Sequence, residues 1–139
     1  MLVSSSTSSP GETATANRPG TPPRVLVVED NAAVRDVWCD ALSLSGYDVA
    51  PARDGSEALA RFEAMPYDLV VTDLLMPGMS GWQLVDAIRH RTPTPVVLTS
   101  GSASEEDLAL AEARGLTLLQ KPVPLLELRR VVAQALHGD

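Results

Sequence analysis

Residues 70–81, VVTDLLMPGMSG, join a short apolar run to an aspartate, Asp73, and then to a turn rich in proline and glycine. A continuous apolar run with β-branched residues favours a strand buried on both faces, and the Pro/Gly segment favours a loop. The pattern predicts a strand that delivers one carboxylate to the edge of a sheet. Because many strands end in this way, the meaning of Asp73 depends on the residues at the ends of the other strands.

Strand-like and helix-like segments alternate along the chain. The predicted strands span residues 24–28, 47–52, 68–72, 94–100 and 116–120. The segment after each strand has helical periodicity, and its apolar positions, Val37, Met65 and Leu125 among them, are expected to face inward. Five strand–helix repeats predict an α/β fold, a doubly wound five-stranded parallel sheet with helices on both faces. Pro51 places the second strand at an edge, since proline cannot donate to an interior ladder.

Residues 1–23 differ in composition from the rest of the chain. Ser, Thr, Pro and Gly make up 15 of these 23 residues, and no large apolar side chain occurs between Val3 and Val25. Such a segment buries too little apolar surface to offset the entropy of ordering. We therefore predict a disordered tail over 1–23 and one folded domain over 24–139.

Composition limits the classes of function. The net charge is −7 and no basic stripe occurs, which argues against direct nucleic-acid binding. No apolar run approaches the ~18 residues of a membrane span. A single cysteine, Cys39, excludes an intramolecular disulfide. With no visible secretory signal, a cytoplasmic location is expected.

Polar side chains lie at the end of four of the five predicted strands or directly after it. They are Glu29 and Asp30, then Asp73, then Ser100, which precedes Gly101, and finally Lys121, which precedes Pro122. Sites of doubly wound sheets form at the carboxyl ends of the strands, so these groups are expected to converge. Clustered carboxylates repel one another unless a cation joins them, and a hard divalent ion such as Mg²⁺ prefers oxygen ligands. Together with a lysine and a hydroxyl, the set suits phosphoryl transfer to a carboxylate.

These motifs resemble those of a known family. VVEDN at 27–31, DLLMPGMSG at 73–81, PVVLTSG at 95–101 and KP at 121–122 are similar to the receiver domain of two-component response regulators, the CheY-like superfamily. The resemblance covers residues 24–136, all but the tail. It implies a flavodoxin-like strand order, 2-1-3-4-5, with five helices.

The resemblance also implies a role for each site residue. Asp73 is the expected phospho-acceptor, with Mg²⁺ held by Asp30, by Glu29 through water, by Asp73 and by the backbone carbonyl of Leu75. Ser100 is the expected switch hydroxyl, and Gly101 beside it leaves room for the phosphoryl group. Lys121 is the expected ion-pair partner of that group, preceding Pro122 through a cis peptide bond.

The chain departs from the family's pattern at one position of the expected output surface. The family often has an aromatic residue three positions before the lysine, where this chain has Leu118 on the expected output surface. The implied partners are a histidine kinase or histidine phosphotransfer protein, an unidentified downstream protein and a second copy of the chain in a homodimer. Such a receiver is not an enzyme, since it catalyses only its own phosphorylation and dephosphorylation.

Three alternatives stay open at this point. The chain could be the receiver part of a hybrid histidine kinase. It could be an aspartyl-phosphate phosphatase, although Leu75 stands where such enzymes commonly have a second acid. It could also be a receiver that serves only as a scaffold, although every chemical position of the motif is filled.

Overall fold

A computed structural model describes residues 20–138. Its strands are β1 Arg24–Val28, β2 Asp48–Ala52, β3 Leu69–Asp73, β4 Val96–Ser100 and β5 Thr117–Gln120. Its helices are α1 Ala32–Leu44, α2 Gly55–Ala64, α3 Gly81–Arg89, α4 Glu105–Ala113 and α5 Leu125–His137. The five predicted strand–helix repeats are therefore all present.

The strands form one parallel sheet in the order β2-β1-β3-β4-β5, which confirms the predicted topology. β2, which contains Pro51, lies at an edge as predicted. The prediction of a disordered tail falls almost wholly outside the described residues. Its last residue, Pro23, accepts a hydrogen bond from the Asp48 amide at 2.9 Å.

Two apolar clusters cover the two faces of the sheet. On one face, Leu26, Val70 and Leu98 pack with side chains of α2, α3 and α4. On the other face, Val27 and Val71 pack with side chains of α1 and α5. Because successive strand residues point to opposite faces, each central strand contributes to both clusters. This double burial explains why the strands are continuously apolar rather than alternating.

Local capping fixes where two helices begin. Ser80 and Gln83 form a reciprocal capping box at α3, and Ser104 and Asp107 form another at α4. Both caps come directly after loops that leave the carboxyl edge of the sheet. They therefore tie the start of each helix to that edge.

Three apolar side chains predicted to face inward are exposed: Val37 at 48%, Met65 at 44% and Leu125 at 40%. Met65 caps α2 in an extended conformation, so the helical phase no longer applies to it. Val37 and Leu125 line an open groove instead of the core. Within residues 20–138, no helix has the length and apolar character needed to cross a membrane.

Candidate functional site

The strand register brings the predicted site residues to one edge of the sheet. Val28 pairs with Thr72, and Asp73 pairs with Thr99, so β1, β3 and β4 end at neighbouring positions. One further backbone bond, from the Lys121 amide to the Ser100 carbonyl at 2.8 Å, extends the ladder beyond β5. Residues that are distant in sequence are thereby placed side by side.

Three carboxylates meet at this edge. One oxygen each of Glu29, Asp30 and Asp73 lies within 4.8 Å of the others. Glu29 is completely buried and Asp73 is 5% exposed, whereas Asp30 is open to solvent. A set of carboxylate oxygens this close, one of them accessible, fits the ligand preference of Mg²⁺. The arrangement can therefore accommodate a divalent cation.

Lys121, which follows the outermost strand β5, reaches the same cluster. Its Nζ donates to Glu29 Oε1 at 2.7 Å and to Asp73 Oδ2 at 3.0 Å. The ammonium thus partly neutralises the two buried acids. It also places a positive charge beside the Asp73 carboxylate.

Burial and hydrogen bonding act in opposite directions on these groups. Burial raises the pKa of Glu29 above its ordinary value of 4.5, although the bonds from Lys121 and from the Asn31 amide lower it. Burial alone would lower the pKa of Lys121, but its hydrogen bonds to Glu29 and Asp73 outweigh that effect and raise the pKa. Lys121 is therefore a cation at neutral pH.

Ser100 and Gly101 form the next wall of the site. Ser100 is 1% exposed, and its hydroxyl accepts a hydrogen bond from the Ser102 amide at 3.1 Å. Around Gly101, an added Cβ would meet no atom within 4 Å. The space beside Gly101 is thus open.

Gly81 packs against the backbone at the end of β3, where Asp73 lies. Its amide donates to the Leu74 carbonyl at 2.8 Å. A Cβ at this position would lie 2.6 Å from the Asp73 carbonyl oxygen and 2.8 Å from Leu74 Cα. Only glycine permits so close an approach, and it locks the first turn of α3 against the end of β3.

Other predicted residues lie around this centre. Leu75 comes after β3 with a side chain that is 61% exposed, and its carbonyl as a ligand stays a prediction. The Lys121–Pro122 peptide bond is cis. Leu118 is half-buried and packs in the cluster with α2, α3 and α4.

Two contacts of the site could not be predicted from the sequence. Arg35 Nη1 donates to the Glu29 carbonyl at 2.7 Å, across six residues. Lys121 Nζ lies 5.8 Å from the centre of the Trp38 ring, within range of a cation–π interaction. Helical spacing predicts that Trp38 faces inward. It does not predict that Trp38 contacts Lys121, which follows β5.

A groove of about 530 Å³ opens next to the site. Its walls come from the start of α1 and from the segment between β5 and α5. Val34, Val37, Val123 and Leu125 give it a mainly apolar surface, and Lys121 lies at its boundary with the carboxylates. We call it the α1–α5 groove.

Known proteins are similar to this chain in both sequence and architecture. A family model described as the response regulator receiver domain matches residues 25–133. The transcriptional activator protein PfeR of Pseudomonas aeruginosa is 35% identical over 107 residues, which cover 76% of this chain and 35% of PfeR. The sensor histidine kinase GacS of Pseudomonas protegens is 38% identical over 117 residues, covering 79% of this chain and 13% of GacS.

A solved structure is also similar. The chemotaxis protein CheY4 of Vibrio cholerae superimposes with a TM-score of 0.77 at 30% identity, covering 84% of this chain and 100% of CheY4. The match thus extends over the whole of the CheY4 chain. It spans only about a third of PfeR and less of GacS. With a family model matching most of its length, the chain belongs to the response regulator receiver domains of two-component systems.

Proposed function

We propose that this receiver accepts a phosphoryl group on Asp73 from a histidine kinase or a histidine phosphotransfer protein. The observation that carries the proposal is the joint placement of Lys121 Nζ 3.0 Å from Asp73 Oδ2 and of Glu29 and Asp30 beside it. A carboxylate that faces an ammonium and a cation-binding pair of acids is suited to attack a phosphorus atom carrying negative oxygens.

The step is a simple displacement. An oxygen of Asp73 forms a bond to phosphorus while the bond from phosphorus to the donor's imidazole nitrogen breaks, and that nitrogen keeps the electron pair. Lys121 and the Ser100 hydroxyl bind oxygens of the transferred group. Glu29, Asp30, Asp73 and the Leu75 carbonyl would hold Mg²⁺, which supplies charge neutralisation for that group when bound.

The experiment compares the wild-type chain with Asp73→Asn, using acetyl phosphate, Mg²⁺ and detection of acyl phosphate by mass spectrometry. The wild-type chain should gain one phosphoryl group. The asparagine variant should gain none and keep the wild-type circular dichroism spectrum, because an amide of the same shape still accepts a bond from Lys121. Labelling of the variant at another residue would refute the assignment, and multiple turnover of a phosphomonoester would favour a phosphatase instead.

We further propose that the protein donor contacts the α1–α5 groove. Lys121 lines the groove and its Nζ lies 3.0 Å from Asp73 Oδ2, so a partner seated there lies close to the site. Its exposed Val37 and Leu125 offer apolar area to a helix of the donor. The signal would then pass onward through protein contacts.

The likeness to GacS favours a second context for the same chemistry, a receiver that forms part of a hybrid kinase. An immunoblot of the native cells with an antibody to this domain decides between the contexts. A stand-alone receiver gives a band near the mass of 139 residues. A hybrid kinase gives a band several times larger.

A further inference from the structure

Lys121 is the only lysine in the sequence, in which arginine supplies the other permanently positive side chains. Its Nζ donates to Glu29 and to Asp73, and within residues 20–138 it has no other hydrogen-bond acceptor. An ammonium carries three N–H groups, so one of them is left without an acceptor. Nζ also lies over the indole ring of Trp38, 5.8 Å from its centre. The aromatic face is therefore the third attractive group around this charge.

Trp38 is a fixed platform for that contact. It is 4% exposed and packs in the apolar cluster of α1 and α5, together with Leu42 and Leu128. An indole in a close-packed cluster cannot turn away without disturbing its neighbours. The ammonium of Lys121, in contrast, lies at the end of a flexible four-carbon stem. The indole is thus the fixed partner of this pair, and the ammonium is the mobile one.

The α1–α5 groove offers the ammonium a way out of the site. Lys121 and Trp38 both line this groove, and the Lys121 side chain is 23% exposed. Because an ammonium is strongly hydrated, water in the groove competes with the site for it. The two carboxylates and the indole together must outweigh that competition.

The proposed phosphorylation changes the carboxylates but leaves the indole as it is. Bond formation to phosphorus turns the Asp73 carboxylate into an acyl phosphate. Glu29 is then expected to face Mg²⁺, which attracts the same oxygens as the ammonium does. A neutral aromatic ring still attracts Nζ and binds neither the metal ion nor the phosphoryl group. Trp38 is therefore the partner of Lys121 that stays constant through the step.

We propose that Trp38 is a positioning residue for phosphoryl transfer, which holds the Lys121 ammonium in the site while Asp73 and Glu29 engage the incoming groups. This inference rests on the proposed function. Trp38 acts on the transferred group only through Lys121, whose charge faces the negative oxygens of that group. Loss of the indole should therefore slow the transfer by the amount that a cation–π interaction explains.

The first test measures the initial rate of Asp73 labelling by acetyl phosphate with Mg²⁺, at a temperature where circular dichroism shows every variant folded. Trp38→Leu, which stays apolar but has no ring, should be about three- to tenfold slower than the wild type. Trp38→Phe should lie between the two, because a phenyl face attracts a cation less strongly than an indole does. It also keeps the measurement possible if Trp38→Leu fails to fold.

The matched control is Leu42→Val. Leu42 lies one turn further along α1, in the same apolar cluster, and does not line the groove. This change removes buried apolar volume and lowers the melting temperature, as the Trp38 variants do. Its labelling rate should nevertheless stay within about twofold of the wild type, because additive packing losses at a distance do not reach Lys121.

A second measurement observes Lys121 itself. Because the chain has one lysine, ¹³C-labelled lysine gives a single ε-methylene signal by NMR. With beryllofluoride and Mg²⁺ as a mimic of the phosphoryl group, the order parameter of this methylene should stay that of a fixed side chain in the wild type. In Trp38→Leu it should fall to about half of that value, as expected for a lysine that moves freely in water. Leu42→Val should keep the wild-type value.

The outcomes are distinguishable. The inference is overturned if Trp38→Leu is labelled within about twofold of the wild-type rate, or if Leu42→Val is slowed as much. A lysine that stays as ordered in mimic-bound Trp38→Leu as in the wild type overturns it as well. If acetyl phosphate does not label the wild-type chain and beryllofluoride shifts none of its signals, the proposed phosphorylation itself fails and the inference falls with it.

Discussion

At the scale of single residues, the site is a balance of buried charges. Glu29 is completely buried, and its carboxylate is held by one ammonium, Lys121, and by the Asn31 amide. Removing one partner of a buried ion pair costs more than the pair contributes, because the other charge stays desolvated. Lys121 is therefore the side chain whose loss should affect stability as well as chemistry.

We expect Lys121→Met to lower the free energy of unfolding by about 2 to 3 kcal/mol at pH 7. This is less than the roughly 3–5 kcal/mol for a fully buried pair, because the Lys121 side chain is 23% exposed. The loss should depend on pH. Burial raises the pKa of Glu29 above 4.5, and removing the Lys121 hydrogen bond raises it further. An acid with a raised folded-state pKa contributes stability that is present below its unfolded pKa and lost as the pH rises through the folded value.

The difference between variant and wild type should thus be small below pH 4.5 and grow as the pH rises above it. Urea denaturation in EDTA at pH 4 and pH 7 measures it. Arg130→Met, which removes an exposed pair with Glu127, should change stability by less than about 0.5 kcal/mol at either pH. A Lys121→Met penalty that is equal at both pH values would contradict the role given to Glu29.

A second prediction at this scale concerns Gly81. Gly81→Ala should destabilise the fold by about 2 kcal/mol, because its Cβ would overlap backbone atoms of Asp73 and Leu74 that cannot move independently. The matched variant is Gly101→Ala, whose Cβ meets open space, and it should be neutral within about 0.5 kcal/mol. Thermal denaturation of both proteins is the measurement, and equal melting temperatures would refute the steric argument.

At the scale of elements, the helix periods are predictable from the sequence but the neighbours of each helix are not. The inward stripe of α1 is confirmed at Trp38 and Leu42, yet Val37 beside it is 48% exposed. The sequence shows which face of a helix is apolar, and only the packing of α1 against α5 shows that part of this face stays open as the α1–α5 groove.

We predict that Val37→Asp slows phosphotransfer from a cognate histidine kinase at least about tenfold while labelling by acetyl phosphate stays unchanged. A buried carboxylate in the interface would have to lose its hydration, whereas the small donor does not use the groove. Leu44→Asp is the control, since Leu44 lies on the same helix, is 81% exposed and is outside the groove. Equal slowing by both variants, or slowing with acetyl phosphate, would contradict a docking role.

At the scale of the whole molecule, the carboxyl edge of the sheet gathers acids in a chain whose net charge is already −7. A cation that binds only the folded state stabilises it by mass action. At a Mg²⁺ concentration ten times its dissociation constant the gain is about 1.4 kcal/mol, a rise of roughly 3–6 °C in melting temperature for a domain of this size.

Melting curves with Mg²⁺ and with EDTA should show this rise in the wild-type chain. Asp30→Asn should abolish most of the rise, because Asp30 is the accessible member of the cluster. Asp36→Asn should keep it, because Asp36 is an exposed acid of α1 outside the cluster. An equal Mg²⁺ response in both variants would indicate general charge screening in place of a site.

The sequence by itself determined the order of elements, the doubly wound sheet and the convergence of the acids with Lys121. These features arise from local patterns: apolar runs define buried strands, and parallel strands present their last residues at one edge. Tertiary structure alone decided that Lys121 bonds Glu29 as well as Asp73, that Val37 lies in an open groove, and that Trp82 reaches Asp107 across 25 residues. Such contacts depend on how far apart packed helices come to lie, and no periodicity within one segment encodes that distance.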